Sequence, residues 1–160
     1  MIKALRVDER LVHGQITMLW TKELGINGIV VGNDAVSKDE PQKQILKMAV
    51  PDGIKIIIKS VNEIIRLLND PRTKKMKLLV IVSTVRDAVK VAQKIPHVEY
   101  MNIGNVGRMS GNTDLKQIAK TVMLTPNEIE SLKELIKMYP QTAIQSTPYE
   151  NKELASKLIS

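Results

Sequence analysis

Leu78-Leu79-Val80-Ile81-Val82 is an unbroken apolar run of five residues, and it decides the class of fold. A strand with one face in water alternates apolar and polar residues, whereas a strand without alternation is buried on both faces, as in a mostly parallel sheet covered by helices. Working outward, similar runs rich in β-branched residues recur at Ile2–Val7, Gly28–Gly32, Ile54–Lys59, Lys77–Ser83, Glu99–Ile103, about Gln117–Leu124 and Ala143–Ser146. Amphipathic segments lie between them. Val61, Ile64, Ile65 and Leu68 form one stripe, Val85, Ala88, Val89 and Ala92 a second, and Ile129, Leu132 and Ile136 a third.

Helix starts are marked by capping-box spacing at Ser60/Glu63, Thr125/Glu128 and Thr147/Glu150, the last two followed by Pro126 and Pro148 at the first helical position. A first helix is expected over about Gln15–Leu24, closing at Gly25, with Ile16, Leu19 and Trp20 on its inner face, and another over about Asp39–Ala49. The predicted architecture is α/β: a three-layer α/β/α open, mostly parallel twisted sheet of about six to seven strands with helices on both faces. Its 160 residues suit a single domain spanning 1–160. In such sheets functional groups collect at the carboxyl ends of the strands, so the loops after Val7, Ile58, Val82 and Ile103 are the places to look for chemistry.

Composition narrows the chemistry. With no cysteine there is no disulfide scaffold, thiol nucleophile or thiolate metal site, and two histidines make a multi-histidine metal centre improbable. Asp34 and Asp39 read as a turn and a helix-start residue rather than a metal pair. The 24 Lys and Arg against 17 Asp and Glu, a formal +7, favour an acidic or phosphate-bearing partner. One Trp, three Tyr and no Phe make a poor stacking platform for nucleic acid. The N-terminal MIKALRVDER reaches charge before any long apolar region forms, and no apolar run approaches the roughly 20 residues of a membrane span, so a cytoplasmic protein is expected.

The densest functional candidate is Arg6-Val7-Asp8-Glu9-Arg10-Leu11-Val12-His13-Gly14-Gln15, a charged loop running straight into a helix. A helix N-terminus offers unpaired N–H groups and the positive end of a dipole, both suited to an anion, here at Gly14 and Gln15. Arg10 brings a planar fork for phosphate oxygens. Asp8 can orient either the His13 imidazole or the Arg10 guanidinium. A neutral imidazole is a usable nucleophile near pH 7, so His13 reads as a phosphoryl acceptor. Gly104-Asn105-Val106-Gly107-Arg108-Met109-Ser110-Gly111 is either a backbone nest for phosphate, a partner-contacting loop with Asn105 and Arg108, or a plain connection. Ser83 and Thr84 can donate to phosphate or simply cap the next helix. His97 reads as structural or solvent-exposed. No Walker A run and no complete Gly-x-Gly-x-x-Gly follows the first strand, which disfavours ATP and dinucleotides.

RVDERLVHGQ, together with NDAVSKDEPQKQILKMAVPDGIKI, MNIGNVGRMSG and LTPNE, resembles the IIB components of the mannose/fructose/sorbose class of the bacterial phosphoenolpyruvate-dependent sugar phosphotransferase system. Asn105 departs from that pattern, which carries a second Gly there. The resemblance implies a protein-N(pi)-phosphohistidine–sugar phosphotransferase. His13 would take a phosphoryl group at Nδ1 from the phosphohistidine of a IIA partner and pass it to a sugar entering through membrane components IIC and IID. Arg10 would stabilise the phosphoryl group, with Asp8 as the loop acid. It implies no cofactor, no metal and no nucleic acid, a cytoplasmic chain peripherally attached to the membrane complex, and leaves a homodimer open. The positive charge would then speed docking to an acidic IIA face in a salt-sensitive way. Two alternatives compete: a histidine-phosphate mutase or phosphatase, which would need a second working histidine, and a basic regulatory or nucleic-acid-binding module.

Overall fold

The computed structural model describes residues 1–109 and 111–159; Ser110 of the glycine-rich segment lies outside the described residues. Along the chain run β1 (Ile2–Asp8), α1 (Gly14–Leu24), β2 (Gly28–Gly32), α2 (Glu40–Met48), β3 (Lys55–Lys59), α3 (Val61–Leu68), β4 (Leu78–Val82), α4 (Val85–Ala92), β5 (Met101–Asn105), β6 (Lys116–Ala119), β7 (Val122–Leu124), α5 (Pro126–Met138), β8 (Ala143–Ile144), β9 (Glu153–Leu154) and α6 (Ala155–Leu158). Seven strands form one sheet in the order β3-β2-β4-β1-β5-β8-β9. Every pairing in it is parallel except that of β8 with β9.

The unbroken run at 78–82 does what its composition demands. Leu78, Val80 and Val82 enter the core under α3, α4 and α5, while Leu79 and Ile81 enter a second core with Trp20 of α1 and Leu46 of α2. Burying both faces of a central strand removes its whole apolar surface from water, at about 25 cal/mol per Å². The capping boxes at Ser60 and Thr125 are both formed, with Glu63 and Glu128 closing them, and Asp39 caps α2.

Three local expectations are corrected. Gln117–Leu124 is not one strand: β6 and β7 form a separate antiparallel hairpin, because the polar pair Lys120-Thr121 makes the reversal and Thr121 hydrogen-bonds through Oγ1 to the Gly104 carbonyl (2.7 Å). Thr147–Glu150 is a turn closed by Glu150 N–H on the Thr147 carbonyl (3.2 Å). The segment directly after it, Tyr149 to Glu153, carries no apolar stripe to bury, so the capping signal has no helix to cap; the next helix, α6, starts only at Ala155. On α1 the buried residues are Thr17, Trp20 and Thr21, with Ile16 and Leu19 only partly covered.

The topology fixes where chemistry can sit. β1 and β4 are neighbours, yet the chain leaves β1 through α1 toward β2 and leaves β4 through α4 toward β5, on opposite faces of the sheet. That divergence opens a crevice at their carboxyl ends.

Candidate active site

Along β1, Leu5 and Val7 point into the α3/α4/α5 core and Ala4 to the other face. Period-two alternation therefore sends Arg6 and Asp8 to the α1 face, and both are buried, at 3% and 1% exposure. A buried charge is tolerated only when paired and hydrogen-bonded. Arg6 meets that condition: Nη2 donates to Asp8 Oδ2 (3.1 Å) and to the Ser146 carbonyl (2.9 Å), and Nη1 donates to the Gln145 carbonyl (3.1 Å) and to Asn102 Oδ1. Its guanidinium also lies 5.4 Å from the Trp20 ring centre. Burial pushes the Arg6 pKa down, and the Asp8 charge opposes that shift. Asn102 is the register partner of Arg6 on β5. Two residues on, Gly104 lies under the guanidinium, where a Cβ would collide with it.

Around this floor, Tyr100 donates through its hydroxyl to Gln145 Oε1 (2.8 Å) and accepts from Asn102 Nδ2 (3.2 Å). Burial raises the Tyr100 phenol to about 12. Trp20 Nε1 donates to the Ser146 carbonyl (3.0 Å), so α1, β1, β5 and the segment after β8 are tied together beneath the loop.

Above the floor the loop is tightly wound. Arg10 donates to Asp8 through its backbone N–H (3.0 Å) and Nε (3.2 Å) on Oδ1, and through Nη2 (3.2 Å) on Oδ2. Of the two partners expected for Asp8, then, it orients Arg10. The Nε edge of the guanidinium is committed to Asp8, while the Nη1/Nη2 edge remains as a second fork, and the side chain is 26% exposed. Leu11 closes the turn with its N–H on the Asp8 carbonyl (2.9 Å) at φ 61°, a left-handed conformation costing a non-glycine residue about 1–2 kcal/mol. The buried side chains of Leu11 and Val12 hold it there.

With those two residues anchored, His13 comes out exposed at the N-cap of α1. Its carbonyl accepts from Ile16 and Thr17 N–H, its own N–H donates to Thr17 Oγ1 (2.8 Å), and its ring caps nothing. Gly14, at φ 31°, and Gln15 follow in the exposed first turn.

Sequence reasoning missed Glu9. Its Oε1 accepts from the N–H groups of Gly107 (3.1 Å) and Met109 (3.2 Å), and its Oε2 from Arg108 N–H (3.0 Å). The glycine-rich nest exists, but its anion is this carboxylate rather than phosphate. Asn105 is also placed differently from the expectation: it ends β5 and is buried, so the exposed segment begins later, with Arg108 and Met109.

Ser83 accepts from Asn33 Nδ2 (3.0 Å), and Thr84 caps α4 by accepting from Asp87 N–H (3.1 Å). Both line a cavity of about 450 Å³ together with Glu9, Arg86, Gly107 and Met109; His13 does not line it. His97 precedes β5 and so lies at the other end of the sheet from His13, its ring 5.8 Å from that of Tyr139. Asp34 accepts from Val61 N–H (2.9 Å). Among the described residues no group of three or more His, Cys, Asp or Glu is placed to hold a metal ion, and no helix is long and apolar enough to cross a membrane. Five of the 24 Lys and Arg, Lys55, Arg72, Lys74, Lys75 and Lys77, lie around the amino ends of β3 and β4, the end of the sheet opposite His13.

Residues 2–160 match the model of the family described as PTS system sorbose subfamily IIB component. The chain belongs to this family. As a sorbose-subfamily IIB component it is 40% identical to a probable phosphotransferase enzyme IIB component of Streptococcus pyogenes serotype M6, covering all of both chains. It is 28% identical to the mannose-specific EIIAB component of Escherichia coli K12, over 81% of this chain and 39% of that protein. Among solved structures it superposes on the IIBSor domain of the sorbose permease from Klebsiella pneumoniae with a TM-score of 0.91. That match has 24% identity and covers 99% of this chain and 96% of that one, so it speaks for the fold.

Proposed function

We propose that residues 1–160 act as one IIB phosphocarrier domain in which His13 accepts a phosphoryl group from the phosphohistidine of a IIA partner and gives it to a sugar imported through IIC and IID membrane components. The observation that carries this reading is an exposed imidazole at the N-cap of α1 that makes no cap hydrogen bond, three residues along the chain from an arginine fixed on a buried carboxylate.

In the first step the His13 Nδ1 lone pair attacks phosphorus as the donor's P–N bond breaks and returns its electron pair to the donor imidazole. In the second, a sugar hydroxyl oxygen attacks, the His13 P–N bond breaks, its electron pair returns to Nδ1 and the hydroxyl proton is released. Because donor and acceptor in the first step are both imidazoles, the site must chiefly supply in-line approach and charge matching. The free Nη1/Nη2 edge of Arg10 and the first-turn amides of Gly14 and Gln15 supply donors for the phosphoryl oxygens. Asp8 acts through Arg10, fixing its plane. Ser83 and Thr84, already committed to Asn33 and Asp87, contribute through the neighbouring cavity wall, and Arg108 through partner contact. A place on the cytoplasmic side of the membrane complex follows from these partners, and an EIIAB component among the relatives supports pairing with IIA.

Phosphorylated IIA of this class is mixed with the purified chain, wild type beside His13→Ala, and the mass and acid lability of the product are read. Acid-labile phosphate on wild type alone is expected. Label on His13→Ala, or none on folded wild type with two different IIA donors, overturns the assignment.

A further inference from the structure

Glu9 stands next to Arg10 in the chain, but its carboxylate does not join the Arg6–Asp8–Arg10 ion pairs. Its carboxylate instead closes on three consecutive amides, Gly107, Arg108 and Met109, at 3.0–3.2 Å, and its own N–H donates to the Asn105 carbonyl at 2.9 Å. Charge-assisted bonds to three N–H groups make a short, directional clasp between loops nearly a hundred residues apart in sequence. Gly107 is pinned from the other side as well. It has φ 103°, and a Cβ there would strike the Met123 carbonyl. The clasp therefore gives the Arg108-Met109 pair a fixed backbone, and it leaves both side chains exposed, Met109 at 68%. A cation beside a flexible apolar side chain is the composition of a protein-docking anchor.

We infer that Glu9 is a positioning residue for phosphotransfer: it holds Arg108 and Met109 as a fixed docking edge beside the His13 loop, so that a protein that approaches His13 meets a preformed surface. This rests on the proposed transfer from IIA. Preorganisation of a docking edge lowers the ordering cost of the encounter, so its loss falls on the KM for phosphorylated IIA. The rate at saturation, set at His13 and Arg10, changes little.

The test is steady-state transfer from phosphorylated IIA to wild type, Glu9→Ala, Glu9→Gln, Arg108→Ala and the Glu9→Ala/Arg108→Ala double variant, with melting temperature alongside. Glu9→Ala raises KM about tenfold or more and leaves kcat within about threefold. Glu9→Gln, which keeps the length and one acceptor oxygen, falls between it and wild type. Arg108→Ala costs clearly less in the Glu9→Ala background than in wild type, a coupling that mere loss of stability does not produce. An unchanged KM in Glu9→Ala, a fall in kcat and melting temperature at constant KM, or additive effects of the two substitutions each overturn the inference. Wild type that IIA fails to label overturns the proposed function instead, and this inference with it.

Discussion

Arg6 and Arg10 bind the same carboxylate and live in different media. Arg6 is enclosed by Asp8, Asn102, Gln145, Ser146 and Trp20 at 3% exposure, whereas the Arg10 side chain is 26% exposed. The first arrangement is structural and the second is available for chemistry. Asp8 joins them: the buried pair immobilises the carboxylate, and the immobilised carboxylate sets the plane of Arg10. In the proposed transfer, an arginine held this way would meet a phosphoryl group with little left to order, which is how preorganised electrostatic stabilisation works.

Substitutions that separate the two arginines have graded consequences. Asp8→Ala has the largest, because it leaves the Arg6 charge buried without its counter-ion; a loss of about 3–5 kcal/mol in chemical denaturation is expected. A loss below 1 kcal/mol would mean that the carbonyls of Gln145 and Ser146 hold Arg6 unaided. Gly104→Ala pushes a methyl group into the Arg6 guanidinium and should cost about 1–3 kcal/mol, with transfer slowed because Asp8 shifts too; wild-type stability would show that Arg6 has room to move. Arg10→Lys leaves the floor intact, so stability should stay within about 0.5 kcal/mol of wild type. Transfer through His13 should fall about tenfold or more, since an ammonium cannot span both Asp8 and two phosphoryl oxygens. Equal transfer rates would remove Arg10 from the role.

The smallest effect concerns Tyr100. Its folded pKa of about 12 lies above the ordinary value of 10.0, so its contribution is fully present below pH 10, where both states are protonated. It is lost as pH rises from about 10 to about 12, because the unfolded chain ionises first. With the ring only partly buried this amounts to no more than about 2 kcal/mol. Tyr100→Phe should flatten that part of the alkaline stability profile, and an unchanged slope would assign it to other groups.

Whatever depends on neighbouring residues could be read from the chain in advance: the buried strand at 78–82, the capping boxes at Ser60 and Thr125, and the clustering of Asp8, Arg10 and His13 within one loop. Contacts across the sheet could not. Arg6 meets Asn102 and Gln145 across separations of 96 and 139 residues, and Glu9 meets Arg108 across 99. A signal was present in the polar residues set into otherwise apolar strands, Asn102 in MNIGN and Arg6 in IKALRVD, since a polar residue at a two-face-buried position needs a partner. Identifying that partner requires strand order, which local periodicity does not contain. The Thr147 signal failed for the complementary reason: caps select where a helix begins only if an apolar face follows to stabilise it.

The Glu9 clasp also bears on how the molecule responds to the anions around it. A nest of three amides is open to any oxyanion, and here the occupant is covalently part of the chain. A tethered carboxylate acts at an effective concentration on the order of millimolar or above, so inorganic phosphate and sugar phosphates in solution compete at a standing disadvantage. On the proposed function, phosphoryl groups would pass through the molecule while the amides held by Glu9 stay closed to stray ones.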